Sequence, residues 1–199
     1  CMRIDGGGSA DGIERGKQAI RTAVEHGYTL FDHADIYGNG ECEKIFGEIL
    51  AESPGLRERL TILTKCGIRT DDPARYDFSY DHIVSSVDGS LARLGIGQVD
   101  MLLLHRPDYL MNPETVARAF DDLAAAGKVR EFGVSNFSPE KIVALQSALS
   151  MKLQVNQVEM NIHNIDAFEN GMLDQCQAHG ITPQAWCPLG GIVWDAWGN

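Results

Sequence analysis

The stretch TLFDHADIYG, residues 29–38, raises a question about where a strand ends and why. Thr29-Leu30-Phe31 reads as a buried strand, but the apolar run stops at Asp32. His33, Asp35 and Tyr37 follow before a turn at Gly38-Asn39-Gly40. A core strand that delivers two carboxylates, an imidazole and a phenol within six positions is one whose end opens onto a site. The pattern recurs. Short apolar runs at 60–65 (LTILTK), 100–105 (DMLLLH), 130–135 (REFGVS), 153–157 (LQVNQ) and 181–186 (ITPQAW) finish on Lys65, His105, Ser135, Asn156-Gln157 and Trp186.

Helices lie between these runs. Asp11 with Glu14 predicts a capping box ahead of a helix that carries Ala19, Ile20, Ala23 and Val24 and closes at Gly27. Ser79 precedes Ile83, Val87, Leu91 and Leu94, an apolar stripe at helical spacing closed by Gly95. Asn112-Pro113 and Ser138-Pro139 each put a capping side chain before a proline at the first helical position. Continuously apolar strands alternating with helices predict a parallel sheet covered on both faces. Cys1-Met2-Arg3-Ile4 reads as the stub of a first strand, which would make the run at 181–186 the seventh.

Two architectures meet that description. A doubly wound dinucleotide fold needs Gly-x-Gly-x-x-Gly after its first strand. Gly6-Gly7-Gly8 followed by Gly12 misses the spacing, and Gly95-x-Gly97 precedes a strand instead of following one. A (β/α)8 TIM barrel gathers reactive groups at the C-terminal ends of its strands. One such group per strand end, on six runs, favours a single barrel domain over residues 1–199. A complete barrel takes ~250 residues, so the eighth strand is expected to lie outside this chain, with parts missing at both ends.

Composition fits an ordinary soluble globular protein. Of 199 residues, 44% are hydrophobic and 23% charged, and the net charge of −11 disfavours nucleic acid or an anionic membrane as partner. Five scattered cysteines without a CxxC pair fit a reducing, cytoplasmic setting. No apolar run is long enough to span a bilayer. A monomer is the default expectation.

In a barrel the strand ends converge on one mouth. Asp32 and Lys65 then predict an ion pair, with Tyr37 on the loop above it. An ammonium beside a phenol favours the phenolate, so the Tyr37 pKa is expected below the usual value of about 10, as suits a general acid near neutral pH. His105 would orient a carbonyl oxygen beside Tyr37.

These residues resemble the aldo-keto reductase superfamily, in its bacterial NADP-dependent oxidoreductase type. GYTLFDHADIYG is similar to its aspartate motif, ILTKCG to its lysine strand and LLLHRPD to its histidine strand. GKVREFGVSNF and VNQVEMN are similar to its two nicotinamide-contact segments, and all five stand in family order between about Met2 and Gly190. The resemblance implies Tyr37 as proton donor, Lys65 and Asp32 as its activators and His105 as the carbonyl-orienting residue. It implies Ser135, Asn136 and Gln157 on the nicotinamide carboxamide, with Trp186, Cys187 and Leu189 on the same cofactor, and hydride transfer from NADPH to a small aldehyde or ketone. No metal is implied. His33 departs from the family pattern.

Taken singly, each residue has a structural reading. Asp32–Lys65 could be a core ion pair, His105 a satisfied core histidine, Ser135-Asn136 a turn, and His33 and Asp35 supports behind the site. Two rival functions use the same residues. One is a metal-dependent barrel hydrolase with Asp32, His33, Asp35, His105 and His163 as ligands. The other is a non-catalytic NADPH-binding sensor or docking module.

Overall fold

The structure, a computed structural model, describes residues 1–190. Its main sheet holds six parallel strands in the order β1-β2-β5-β6-β7-β8: β1 (Leu30–Asp32), β2 (Thr61–Cys66), β5 (Val99–Leu104), β6 (Val129–Ser135), β7 (Val155–Glu159) and β8 (Thr182–Trp186). A small antiparallel hairpin, β3 (Ile68–Arg69) and β4 (Arg75–Tyr76), stands beyond the C-terminal end of β2. The helices are α1 (Ala10–Glu25), α2 (Glu41–Glu52), α3 (Tyr80–Leu94), α4 (Pro113–Ala125), α5 (Pro139–Gln146), α6 (Asp166–Glu169) and α7 (Met172–His179).

The sheet is curled. β1 and β7 are four strand spacings apart, roughly 19 Å if the sheet were flat. Yet Gln157 Nε2 of β7 donates to Asp32 Oδ2 of β1 at 2.7 Å. Only a concave sheet brings those side chains together. The result is an open half-barrel of α/β type, the partial barrel expected.

Period-two alternation sorts each strand into two faces. Phe31, Ile62, Leu102, Leu104, Phe132, Val134 and Val158 point outward into the main core beneath the helices. Phe120 of α4 stacks on Phe132 there, with ring centroids 4.2 Å apart. Leu63, Leu103 and Val155 form a separate apolar cluster on the concave face. Each lies two residues before a site position on its own strand: Lys65, His105 and Gln157. The fourth such position is Gly133, two before Ser135. A Cβ there would lie 2.6 Å from Leu103 Cδ2 and 2.7 Å from the Val155 carbonyl oxygen, so only glycine fits. At the opposite strand ends, buried Asp100 accepts from the Ile62 amide at 2.7 Å and pairs with Arg57 and Arg130. That pin serves stability, away from the mouth.

Several expectations are corrected. Residues 1–4 join no sheet ladder, although the Cys1 amino group donates to the Asp32 carbonyl at the end of β1, so 181–186 supplies the sixth strand of the sheet and not a seventh. The cap of α1 is Ser9, whose extended backbone lets its Oγ accept from the Gly12 amide at 3.1 Å; Asp11 lies inside the first turn, where its charge faces the helix N-terminus. β7 runs over 155–159 in place of 153–157, because Val158 continues the outward apolar face. The Ser79, Asn112 and Ser138 caps and the Gly95 stop stand as read.

Candidate active site

Asp32 ends β1 with its carboxylate held from two sides. The Lys65 ammonium donates to Oδ1 at 2.5 Å, and Gln157 donates to Oδ2. Lys65 is only 1% exposed. An ammonium so buried needs an acceptor for each proton. Its second acceptor is the His33 carbonyl at 3.0 Å and its third the Tyr37 hydroxyl at 3.5 Å.

Tyr37 opens a short 3-10 turn, Tyr37–Gly40, that follows β1. Its ring stands edge-on to His105, with centroids 5.8 Å apart and planes at 82°. His105 sits one residue past β5, fixed by its amide donating to the Cys66 carbonyl at 2.9 Å. Four side chains from three strand ends and one loop therefore meet at the mouth, as the sequence pattern predicts.

The electrostatics follow from burial. Desolvation pushes the Asp32 carboxyl upward, but the Lys65 charge and the Gln157 amide outweigh it and hold Asp32 below its usual range. Burial lowers the Lys65 pKa against the pull of Asp32. His105 is lowered to about 3 by burial, Lys65 and Arg106, so its imidazole is neutral at physiological pH. The Tyr37 phenol is raised, by burial first and the Asp32 carboxylate second, against Arg106. This reverses the acidification expected of it. Lys65 directs its charge at Asp32 at 2.5 Å and reaches the phenol only at 3.5 Å, while the same carboxylate repels a phenolate.

The second group lies across the concave face. Ser135 Oγ donates to the Gln157 carbonyl at 3.0 Å and accepts from Asn136 Nδ2 at 2.9 Å. Asn136 adopts a left-handed backbone, φ +61°, and its Oδ1 accepts from Trp186 Nε1 at 2.9 Å. Gln157 Nε2 also donates to Gln184 Oε1 at 2.7 Å. Among the described residues nothing donates to Gln157 Oε1, and one Asn136 N–H is unused. One acceptor and one donor are thus open to a primary carboxamide, which carries the complementary pair. The Ser135 hydroxyl is already engaged, so Ser135 would act through Asn136. Cys187 turns with φ +52° just past β8, and Leu189 is 91% exposed at the rim.

The ligands of the hydrolase reading do not assemble. His33 is fully buried against the Phe46 ring, 4.6 Å between centroids, and His163 is exposed on the loop after β7. Among the described residues no three His, Cys, Asp or Glu side chains come together to hold a metal ion. Two participants were not anticipated. Gln184 shares a strand face with Trp186 at i, i+2, a spacing that could have flagged it. Arg106 lies over the Trp186 ring at 5.9 Å and follows directly on His105.

The sequence profile of the Aldo/keto reductase family matches residues 6–196. The chain belongs to that family. This aldo/keto reductase chain is 49% identical over 179 residues to an uncharacterized oxidoreductase of Bacillus subtilis, a match covering 86% of the chain and 60% of that protein. It is 46% identical over 178 residues to a 6-dehydroglucose reductase of Novosphingobium aromaticivorans, covering 86% and 58%. It therefore spans about 60% of the length of the curated relatives it matches. Among solved structures, a glycerol dehydrogenase of Gluconobacter oxydans matches with a TM-score of 0.82 at 28% identity, over 92% of this chain and 57% of that one. An aldo/keto reductase of Klebsiella pneumoniae in complex with NADP and acetate matches at 0.76 and 27% identity, over 91% and 60%. The six-stranded sheet is the matching part of that family's (β/α)8 barrel.

Proposed function

We propose that this chain, as a single barrel domain, carries the reaction centre of a cytoplasmic oxidoreductase that reduces an aldehyde or ketone to an alcohol with NADPH. The observation that carries the reading is the contact chain from Asp32 through Lys65 to Tyr37, with His105 edge-on to the phenol. The Klebsiella pneumoniae relative with NADP bound supports the choice of cofactor.

NADPH, when bound, supplies the hydride. Asn136 and Gln157 would hold its carboxamide, with Trp186 beside the ring. The chain's own residues manage the oxygen. Tyr37 donates a hydrogen bond to the carbonyl oxygen and passes its proton as charge develops there. A phenol with a raised pKa can do this, because an alkoxide is a far stronger base than a phenolate. Lys65 then stabilises the phenolate left behind, and Asp32 holds the ammonium in place. Neutral His105 fixes the carbonyl from the other side of the phenol.

The test is loss of NADPH absorbance with a panel of aldehydes and ketones. Tyr37→Phe should lower turnover by about 10²- to 10⁴-fold while the NADPH dissociation constant stays put. Wild-type turnover in that variant would remove Tyr37 as the acid. Stoichiometric zinc in the purified protein, with activity lost to a chelator, would overturn the reductase reading altogether.

A further inference from the structure

Behind the site, on the convex side of β2, lies a carboxylate that the proposed reaction does not use. Glu43, in the first turn of α2, is 0% exposed. Its Oε1 accepts from Thr64 Oγ1 at 2.6 Å. Its Oε2 takes Nε and Nη2 of Arg93, each at 2.8 Å. Arg93 comes from α3 and is itself steadied by Ser90 at 3.2 Å. A carboxylate removed so fully from water is costly unless every lone pair is used, and here the partners are well chosen.

What these partners touch gives the group its meaning. Thr64 directly precedes Lys65 and points to the opposite face of β2. Glu43 follows the Tyr37–Gly40 turn by three residues. That turn holds three successive left-handed residues, Gly38, Asn39 and Gly40, with φ of 57°, 52° and 92°. Glycine and asparagine adopt this conformation at least cost, so the local sequence permits the run and its neighbours fix where it sits. Arg93 lies against it: a Cβ on Gly40 would sit 2.7 Å from Arg93 Cδ. At its other end the turn is tied by the Asp35 amide donating to the Lys65 carbonyl at 3.0 Å. Both ends of the segment carrying the phenol are thus bonded to residues 64 and 65 of β2.

We infer that Glu43, bonded to Thr64, is a positioning residue that sets the distance between the Tyr37 hydroxyl and the Lys65 ammonium. The two atoms are 28 residues apart in sequence and 3.5 Å apart in space. A helix start fixed to the lysine's own strand holds that spacing without either residue touching substrate. The inference rests on the reading of Tyr37 as the acid.

The test uses two near-isosteric changes at Thr64, neither touching substrate or cofactor. Thr64→Val removes the hydroxyl and leaves the Arg93–Glu43 pair intact; Thr64→Ser keeps it. For Thr64→Val we expect kcat to fall by roughly 10- to 100-fold with the NADPH dissociation constant unchanged, the size of effect a small misplacement produces. Thr64→Ser should restore kcat. Amide hydrogen exchange of the 36–40 segment should quicken in Thr64→Val and not in Thr64→Ser, a readout independent of activity. Unchanged kcat and exchange in Thr64→Val would overturn the inference, as would equal losses in the two variants. Tyr37→Phe run in parallel separates the two claims. If it remains active, the reading of the acid fails, and the exchange rates alone then judge whether Glu43 holds the turn.

Discussion

Gln157 on β7 donates to Asp32 on β1 at 2.7 Å, joining side chains 125 residues apart across the concave face. The residue whose free oxygen suits a carboxamide is therefore the one that holds the far side of the carboxylate. On the function proposed above, cofactor seat and proton relay would share a single side chain.

Gln157→Leu should accordingly affect both. A hydrogen bond to a charged group contributes about 1.5–3 kcal/mol, so kcat should fall by roughly 10- to 100-fold while the NADPH dissociation constant rises. Steady-state kinetics beside direct NADPH titration would separate the two effects. A change confined to cofactor affinity would mean that the bond to Asp32 has no part in turnover.

Asp35 predicts a pH-dependent stability. Its Oδ1 is buried without a partner, and burial first, then the Glu43 charge, raise its pKa to about 7 against the Ser86 hydroxyl, Arg93 and the Ile36 amide. The folded protein binds this proton more tightly than the unfolded chain, whose value is about 3.9. The contribution is therefore complete below about pH 4 and is lost as pH rises through about 7. Asp35→Asn should flatten the fall in Tm between about pH 5 and 8.5 and leave the variant several degrees more stable at the upper end. Parallel melting curves that never diverge would contradict the assignment.

The pH dependence of turnover should owe little to the titration of an imidazole. His105, held near 3 by burial and its cationic neighbours, is uncharged throughout the physiological range, and the Tyr37 phenol keeps its proton well into alkaline solution. A plot of log kcat from about pH 5.5 to 9 should then be free of a histidine break. A clear inflection near pH 6.5 that disappears in His105→Gln would show that the ring titrates.

Ser135 should influence the cofactor at one remove. Its hydroxyl supports Asn136 in a left-handed conformation, with Trp186 bonded to the same amide. Ser135→Ala alone should weaken NADPH binding several-fold, as loss of one neutral hydrogen bond does, and adding Asn136→Ala should weaken it further. Identical dissociation constants for wild type and the double variant would remove both from the cofactor seat.

Much of this arrangement was legible because strand ends are local events. An apolar run that stops at Asp32, Ser135 or Trp186 stops where the backbone leaves the core, and β1, β6 and β8 end at those residues. Gln157 is polar without ending its strand: it faces the mouth from inside β7, while Asn156 turns the other way to donate to the Phe137 carbonyl. Proximity to a lysine says nothing of where that lysine aims, so sequence alone assigns the Tyr37 phenol the wrong direction. Glu43 has no signal of its own, and Gln184 only its i, i+2 spacing to Trp186. An acid near a helix start and a glutamine in a strand are commonplace until the fold supplies their partners.

Gly133 has a practical corollary for anyone wishing to redesign this pocket. Its neighbours Leu103 and Val155 close over it so tightly that no larger residue fits, and Leu63 completes an apolar layer under the polar groups. The floor beneath Lys65, His105 and Gln157 therefore cannot be lowered without cutting into the residues directly under them.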